Sequence, residues 1–206
     1  AREQGTVIKD WGGRLPIALV YPNSYYLGMS NLGIHALYRF LNNSEDIVAE
    51  RVFWEPIRQA QGRPDRRDKR LGPVSVESQR PLPDFAVLAF SISYELDYFN
   101  IAPILKSGGI PVFAAERDER HPLIIAGGPC VTANPAPLSP FFDCLCIGEA
   151  ESILPKLLPA LSEGIGGPRD DLLKSLASVP GVYVPKYPTP VQRQWTKNLD
   201  EFPNLT

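Results

Sequence analysis

Five short segments rich in apolar residues recur along the chain, and the segment at 46–53 also contains Glu50 and Arg51. Continuous apolar runs of this length, bounded by turn-forming residues, are typical of parallel strands buried on both faces. The runs cover residues 15–21, 46–53, 85–93, 123–126 and 144–147.

The segments between and after these runs carry apolar residues at three- and four-residue spacing, which predicts amphipathic helices. Ser30 or Asn31 is expected to cap the first helix, and Pro155 is expected in the first turn of the third, where proline is tolerated. The predicted helices cover residues 32–41, 97–107, 152–161 and 169–178.

Alternating strands and helices predict a three-layer α/β domain, with a parallel sheet of about five strands and helices on both faces. The expected strand order is 2-1-3-4-5, as in flavodoxin-like or Rossmann-like folds. We assign residues 1–180 to this domain. In residues 181–206, prolines alternate with β-branched and aromatic residues, which indicates edge strands or an extended strap followed by a linker.

Ligands of such sheets bind at the carboxyl ends of the strands, where the strand order reverses between strands one and three. The loops that meet there are rich in serine, tyrosine and glycine and carry little fixed charge. The acidic residues among them, Glu149 and Glu151, lie at the start of a predicted helix. Carboxylates are favoured there by the helix dipole, so either helix capping or a functional role explains them. The candidate binding residues are Asn23, Ser24, Tyr25, Gly28, Ser30, Gly33, Ser91, Ser93, Tyr94, Gly127, Gly128, Pro129, Cys130, Gly148, Glu149 and Glu151.

This lining favours a large, flat and mostly neutral ligand over a polyphosphate. The sequence has no GxGxxG after its first strand and no GxxxxGK[ST], so dinucleotides and nucleoside triphosphates are disfavoured. The double glycine at Gly127 and Gly128 is interpreted as a place where backbone approaches a ligand closely. Gly128→Val is therefore expected to impair binding more than folding.

Charge and hydropathy exclude several classes of partner. The net charge of -2 gives no electrostatic signal for nucleic acid or an anionic membrane. No apolar run approaches the roughly 20 residues of a membrane-spanning helix, and the first residues show no hydrophobic signal region. We therefore expect a cytoplasmic location. The basic cluster at residues 63–70 is interleaved with aspartates, which favours a solvated loop over an anion site.

Hydrolytic, zinc and disulfide chemistry have no support in the pattern of cysteines and histidines. His35 and His121 have no recognisable nucleophile partner. Cys130, Cys144 and Cys146 lack CxxC spacing and are expected to be reduced thiols. The last two lie two residues apart on one strand and are expected to pack in the core.

Several motifs carry a resemblance to a known family. A strand ending in YP is followed by a glycine-rich loop, and later come Ser91-Ile92-Ser93, Gly127-Gly128-Pro129 and GEAE at residues 148–151. This order resembles the cobalamin-binding domain at the N-terminus of many radical S-adenosylmethionine (SAM) proteins. The run ALVYPNSYYLGMSNLGIHALY, with SQRPL and FSISYEL, resembles an uncharacterised bacterial group of them.

The resemblance implies a base-off cobalamin, with its nucleotide tail in a groove beside the first and third strands and its corrin on the sheet edge. By position, Ser91 and Ser93 match a serine pair near the tail, and Gly127 and Gly128 match the family's double glycine. Cys130 stands where related domains often have histidine. The chain has SNLGIH in place of DxHxxG, so the resemblance implies no histidine ligand from the protein to the lower face of cobalt.

The chain lacks the CxxxCxxC motif that holds a radical SAM [4Fe-4S] cluster. Its end, KNLDEFPNLT, resembles a linker leading into the catalytic barrel. We expect an excised, non-catalytic N-terminal domain. The continuation of the same chain is expected to supply CxxxCxxC, the cluster and SAM binding. The full-length protein is then expected to act on a small or macromolecular substrate. The edge at Glu149 and Glu151 is expected to face that barrel. The alternatives are a cofactor-free scaffold or interaction domain of such an enzyme and a stand-alone flavodoxin-like module that binds a small ligand.

Overall fold

One sheet organises the part of the chain that the computed structural model describes, residues 5–55 and 72–198. The described strands lie in the order β2-β1-β3-β4-β5-β6. The first five are parallel, and β6 runs antiparallel to β5. The expected order 2-1-3-4-5 is confirmed, and the predicted strap supplies the sixth strand. The strands are β1 (Leu15–Tyr21), β2 (Ile47–Phe53), β3 (Val87–Ser91), β4 (Leu123–Gly127), β5 (Cys144–Cys146) and β6 (Val182–Tyr183).

Six α-helices accompany these strands in the described residues. The four longer ones correspond to the four predicted helices, whereas the short α1 and α4 were not predicted. The basic cluster at 63–70 lies outside the described residues. The helices are α1 (Tyr25–Met29), α2 (Leu32–Asn42), α3 (Tyr98–Ser107), α4 (Pro129–Ala133), α5 (Ala150–Gly164) and α6 (Arg169–Ala177).

Helix α5 departs from its predicted extent. It begins two residues earlier and contains both Pro155 and Pro159 beyond its first turn, so the expectation for Pro155 was wrong. Each internal proline removes one backbone hydrogen bond. Both prolines face solvent, while Ile153, Leu157 and Leu161 are fully buried against the sheet. The packing of that buried face stabilises a helix that local propensity alone disfavours.

Alternating side chains on the strands divide the core into two layers. Leu88, Phe90 and Ile124 pack on the face covered by α3. The alternate positions pack on the opposite face, against α5 and α6 near β4 and β5 and against α2 near β1 and β2. Helices α2 and α5 both begin at the carboxyl ends of the strands. The sheet face that they cover therefore adjoins the edge where a ligand is expected to bind.

A buried ionic cluster lies at the amino ends of the strands, where β5 begins. The Asp143 carboxylate accepts a hydrogen bond from the Ile124 amide at 2.7 Å and lies 2.8 Å from Arg169 and 3.4 Å from Arg117. Arg117 also donates to the carbonyls of Pro111, Val112 and Phe141. Burial lowers the pKa of Arg117, and the charge of Asp143 opposes that shift. The cluster holds several loops together and lies far from the carboxyl ends of the strands.

Candidate functional site

A cavity of about 500 Å³ lies between α2 and α5, over the sheet face that these helices cover. Its floor is formed by β1, β3 and β4, and it extends along both helices to the carboxyl ends of the strands. Its volume falls within the roughly 300–1,000 Å³ of small-molecule sites. Eight of the candidate residues line it: Gly33, Ser91, Ser93, Gly127, Gly128, Pro129, Gly148 and Glu151.

Small side chains on all sides explain why this space is open. Ala89 is paired in register with Leu19 on β1 and with Ile125 on β4, and it faces the cavity between these larger neighbours. Gly33 and Ala36 on α2, and Ala150 on α5, keep both helix walls thin. A larger residue at any of these positions would occupy part of this volume.

The remaining walls are mainly apolar. Leu37 and Phe40 come from α2, and Leu154 and Leu158 come from α5. Among the described lining residues, Arg39 and Glu151 carry charge. They belong to the end of α2 and the start of α5, so they lie toward opposite ends of the cavity. This lining suits a flat apolar group better than a polyphosphate.

The mouth of the cavity carries a short chain of polar contacts. Asn31 caps α2, because its Oδ1 accepts a hydrogen bond from the Ile34 amide at 3.2 Å. Its Nδ2 donates to Ser93 Oγ at 3.2 Å, which joins the segments that follow β1 and β3. The sequence interpretation identified Asn31 only as a possible cap. The sequence places this possible cap close to the point where the strand order reverses, and that position could have indicated a role for Asn31 at the mouth.

The two glycines after β4 differ in what they can tolerate. Gly128 has φ +113°, and a Cβ there would overlap the carbonyl oxygen of Ile92. The turn itself therefore requires glycine at this position. A Cβ on Gly127 would lie 3.5 Å from the Cβ of Cys146, an ordinary contact at the cavity floor. Gly127, rather than Gly128, is thus the position where a substitution reports on the cavity.

The acidic edge after β5 has two separate roles. Glu151 lies in the first turn of α5 and lines the cavity. Glu149 instead holds the C-terminal strap, because its carboxylate accepts a hydrogen bond from the Thr196 amide at 2.6 Å. Ser152 and Thr196 join the same contact through their hydroxyl groups, 2.7 Å apart.

Apart from Gly33, the candidate residues after β1 support the local fold and do not line the cavity. Asn23 donates to Asp97 at 2.7 Å, and Ser24 caps α1 by accepting from the Leu27 amide. A Cβ on Gly28 would overlap the ring of Phe53. Ser30 donates to the carbonyl of Tyr26. Tyr25, which stacks edge-on against Phe53, and the exposed Tyr94 also lie outside the cavity.

The three cysteines carry free thiols in different surroundings. Cys130 is buried in the layer on the α3 side, where burial raises its pKa. Cys144 is buried as expected. Cys146 lines the cavity, and burial raises its pKa to about 12, so its thiol is neutral at physiological pH.

Two further observations limit the chemistry of the site. His35 Nε2 lies 2.9 Å from the carbonyl of Met29, and His35 is not among the described lining residues. Across residues 5–55 and 72–198, no group of His, Cys, Asp and Glu side chains is arranged to hold a metal ion. Within the same ranges, no helix has the length and hydropathy to cross a membrane.

Comparison with known proteins identifies the family. The family model described as radical SAM proteins, N-terminal, matches residues 33–185. The chain belongs to this family. An uncharacterized protein of Methanocaldococcus jannaschii is 27% identical over 135 residues, which are 66% of this chain and 24% of the relative. The chain therefore spans about a quarter of that relative's length. No solved structure matches the chain.

Proposed function

We propose that this radical SAM N-terminal domain binds cobalamin in its base-off form and presents the corrin to a radical SAM barrel of the full-length protein. The observation that carries the proposal is the cavity between α2 and α5. It is apolar, opens at the carboxyl ends of the strands, and adjoins the switch point between β1 and β3.

The residues present fit the nucleotide tail of cobalamin. A planar aromatic base requires a slot between the helix walls, and Ala36, Ala89 and Gly127 leave that slot open. Ser91 and Ser93 offer hydroxyl groups at the mouth, where Asn31 fixes the orientation of Ser93. Leu154 and Leu158 line the slot on the α5 side and give that wall an apolar surface.

The corrin would lie at the sheet edge, outside the cavity, next to Gly128, Gly148 and Glu151. When bound, cobalamin supplies a cobalt centre suited to methyl transfer or to radical rearrangement. The contacts of His35 with Met29 agree with a site in which this histidine does not coordinate the metal. The reaction itself would require the [4Fe-4S] cluster and SAM in the barrel, where a CxxxCxxC motif outside these 206 residues would hold the cluster.

Spectroscopic titration tests the proposal. Methylcobalamin is added to the purified 206-residue chain up to tens of micromolar, and the corrin absorption and co-elution on gel filtration are followed. We expect co-elution together with the spectral change that accompanies release of the benzimidazole from cobalt. If neither occurs, cobalamin binding is rejected and the cofactor-free scaffold is favoured. Co-elution with an unchanged spectrum would reject the base-off form alone.

A further inference from the structure

Large apolar side chains are exposed mainly on two segments of the described chain. Seven of the ten such side chains lie within residues 25–32, after β1, or residues 94–99, after β3. Tyr26, Leu32 and Phe99 are 78%, 75% and 77% exposed. Concentrations of this kind on a protein surface mark interaction sites, whereas single exposed apolar residues do not.

Side-chain hydrogen bonds within these two segments and directly beside them hold the segments next to each other. Asn23 donates to Asp97 at 2.7 Å, Asn31 donates to Ser93 at 3.2 Å, and Asn100 donates to the carbonyl of Pro22 at 2.9 Å. The strands before them, β1 and β3, are neighbours in the sheet. The exposed side chains are therefore presented together at one edge. We call this surface the apolar rim and define it as Tyr26, Leu27, Leu32, Leu96 and Phe99.

The apolar rim is separate from the cavity but adjoins its mouth. None of the five rim residues lines the cavity. The Asn31–Ser93 hydrogen bond lies at the boundary, because both of its residues line the mouth and each is within three residues of a rim residue. The segments after β4 and β5 contribute glycines and the strap contacts instead. A body resting on the rim would border the mouth without entering the cavity.

We propose that the apolar rim is the surface on which the radical SAM part of the full-length protein docks. This inference rests on the proposed function only in assuming that such a part exists. Two observations favour this occupant. The relative extends well beyond the match, since 24% of it is covered. The strap also carries residues 194–196 to the carboxyl edge, where Gln194 pairs beside Gly148 and Trp195 is exposed.

Docking on apolar side chains explains why the rim can be exposed in an N-terminal domain taken alone. Interfaces within a chain bury a central apolar cluster inside a polar border. Here the rim supplies the apolar cluster, and the polar mouth of the cavity forms part of its border. The arrangement places the docked part beside the mouth even when no ligand is bound.

The test compares the full-length protein with a Leu32→Asp/Phe99→Asp double variant. Both positions are exposed and lie in the first turns of α2 and α3, where a carboxylate is favoured by the helix dipole. The domain itself should therefore fold normally. Ile8→Asp is the matched control, because Ile8 is 79% exposed and lies outside the rim.

We expect the double variant to increase the radius of gyration of the full-length protein and to speed amide exchange in residues 94–99 by about tenfold or more. Ile8→Asp should leave both measurements unchanged. Equal radii and equal exchange rates in the wild type and the double variant would overturn the proposal. So would dimerisation of the 206-residue chain that the double variant abolishes, since the occupant would then be a second copy.

Cobalamin titration of the same double variant separates the two proposals. The rim lies outside the cavity, so the variant of the 206-residue chain should bind methylcobalamin as the wild type does. If neither form binds but the full-length variant still opens, the docking surface stands and the cofactor proposal fails. If both forms bind but the full-length variant stays compact, the cofactor proposal stands and the docking surface fails.

Discussion

Gly148 lies so close to the backbone of Gln194 that a Cβ on the glycine would overlap the carbonyl oxygen of Gln194. The two residues are neighbours in a parallel bridge at the edge of β5. The Gln194 amide donates to Ile147, and its carbonyl accepts from Glu149, both at 3.0 Å. The glycine after β5 is thus explained by the strap that covers this edge of the sheet.

Gly148→Ala should destabilise the domain by about 1–3 kcal/mol, because φ of +129° is strained for alanine and the new methyl group would displace the strap. Urea denaturation measures the change. Gly127→Ala is the control, since its backbone is not in the left-handed region and its Cβ would make only an ordinary contact. Equal midpoints for the two variants would contradict this explanation of Gly148.

Ala36→Leu should weaken methylcobalamin binding by about tenfold or more, because the larger side chain would occupy part of the slot that we propose for the nucleotide tail. Leucine is also a good helix former, so α2 should persist. The same titration applied to Ala102→Leu provides the control. Ala102 is partly exposed on α3, on the other side of the sheet, and is not a lining residue. Equal affinities for both variants would place the tail elsewhere.

Asp143→Asn should destabilise the domain by about 3–5 kcal/mol, because it leaves the charges of Arg117 and Arg169 without their buried counter-ion. Thermal and urea unfolding both report this loss. Asp84→Asn removes the partner of Arg80 in an exposed pair 3.7 Å apart, and it should cost at most about 1 kcal/mol. A similarly small effect at Asp143 would mean that the cluster relaxes by admitting water.

Asp97→Asn should change how stability depends on pH. Burial raises the pKa of Asp97 above its ordinary value of 3.8, although the hydrogen bond from Asn23 opposes the shift. The unfolded chain therefore releases this proton at lower pH than the folded chain. The stabilisation that the bound proton gives is complete below about pH 3.8 and is lost as pH rises through the folded-state pKa.

Asparagine at position 97 can accept the same hydrogen bond from Asn23 without a buried charge. The stability of the variant relative to wild type should therefore increase from about pH 4 toward neutrality and then level off. Urea unfolding at a series of pH values measures this difference. A difference that does not vary with pH would show that Asp97 ionises alike in the folded and unfolded chain.

The sequence alone determined the five parallel strands, their order and the four longer helices. These features depend on local apolar periodicity and on the handedness of strand–helix–strand connections, both of which can be read along the chain. The expectation that a ligand binds at the carboxyl ends of the strands followed from that order. The motifs that resembled radical SAM proteins led to the family that the comparison confirmed.

Only the tertiary structure decided what the individual residues at that edge do. Gly127, Gly128 and Gly148 all follow a strand that the sequence predicts. Only the structure shows that Gly128 lies against the backbone of Ile92 and Gly148 against the backbone of Gln194, both distant in sequence. Cys130 and Cys146 are both near glycines, but they belong to opposite layers of the core. The cavity depends on the separation of α2 from α5 across the sheet. These outcomes depend on contacts between distant residues, which local sequence patterns do not specify.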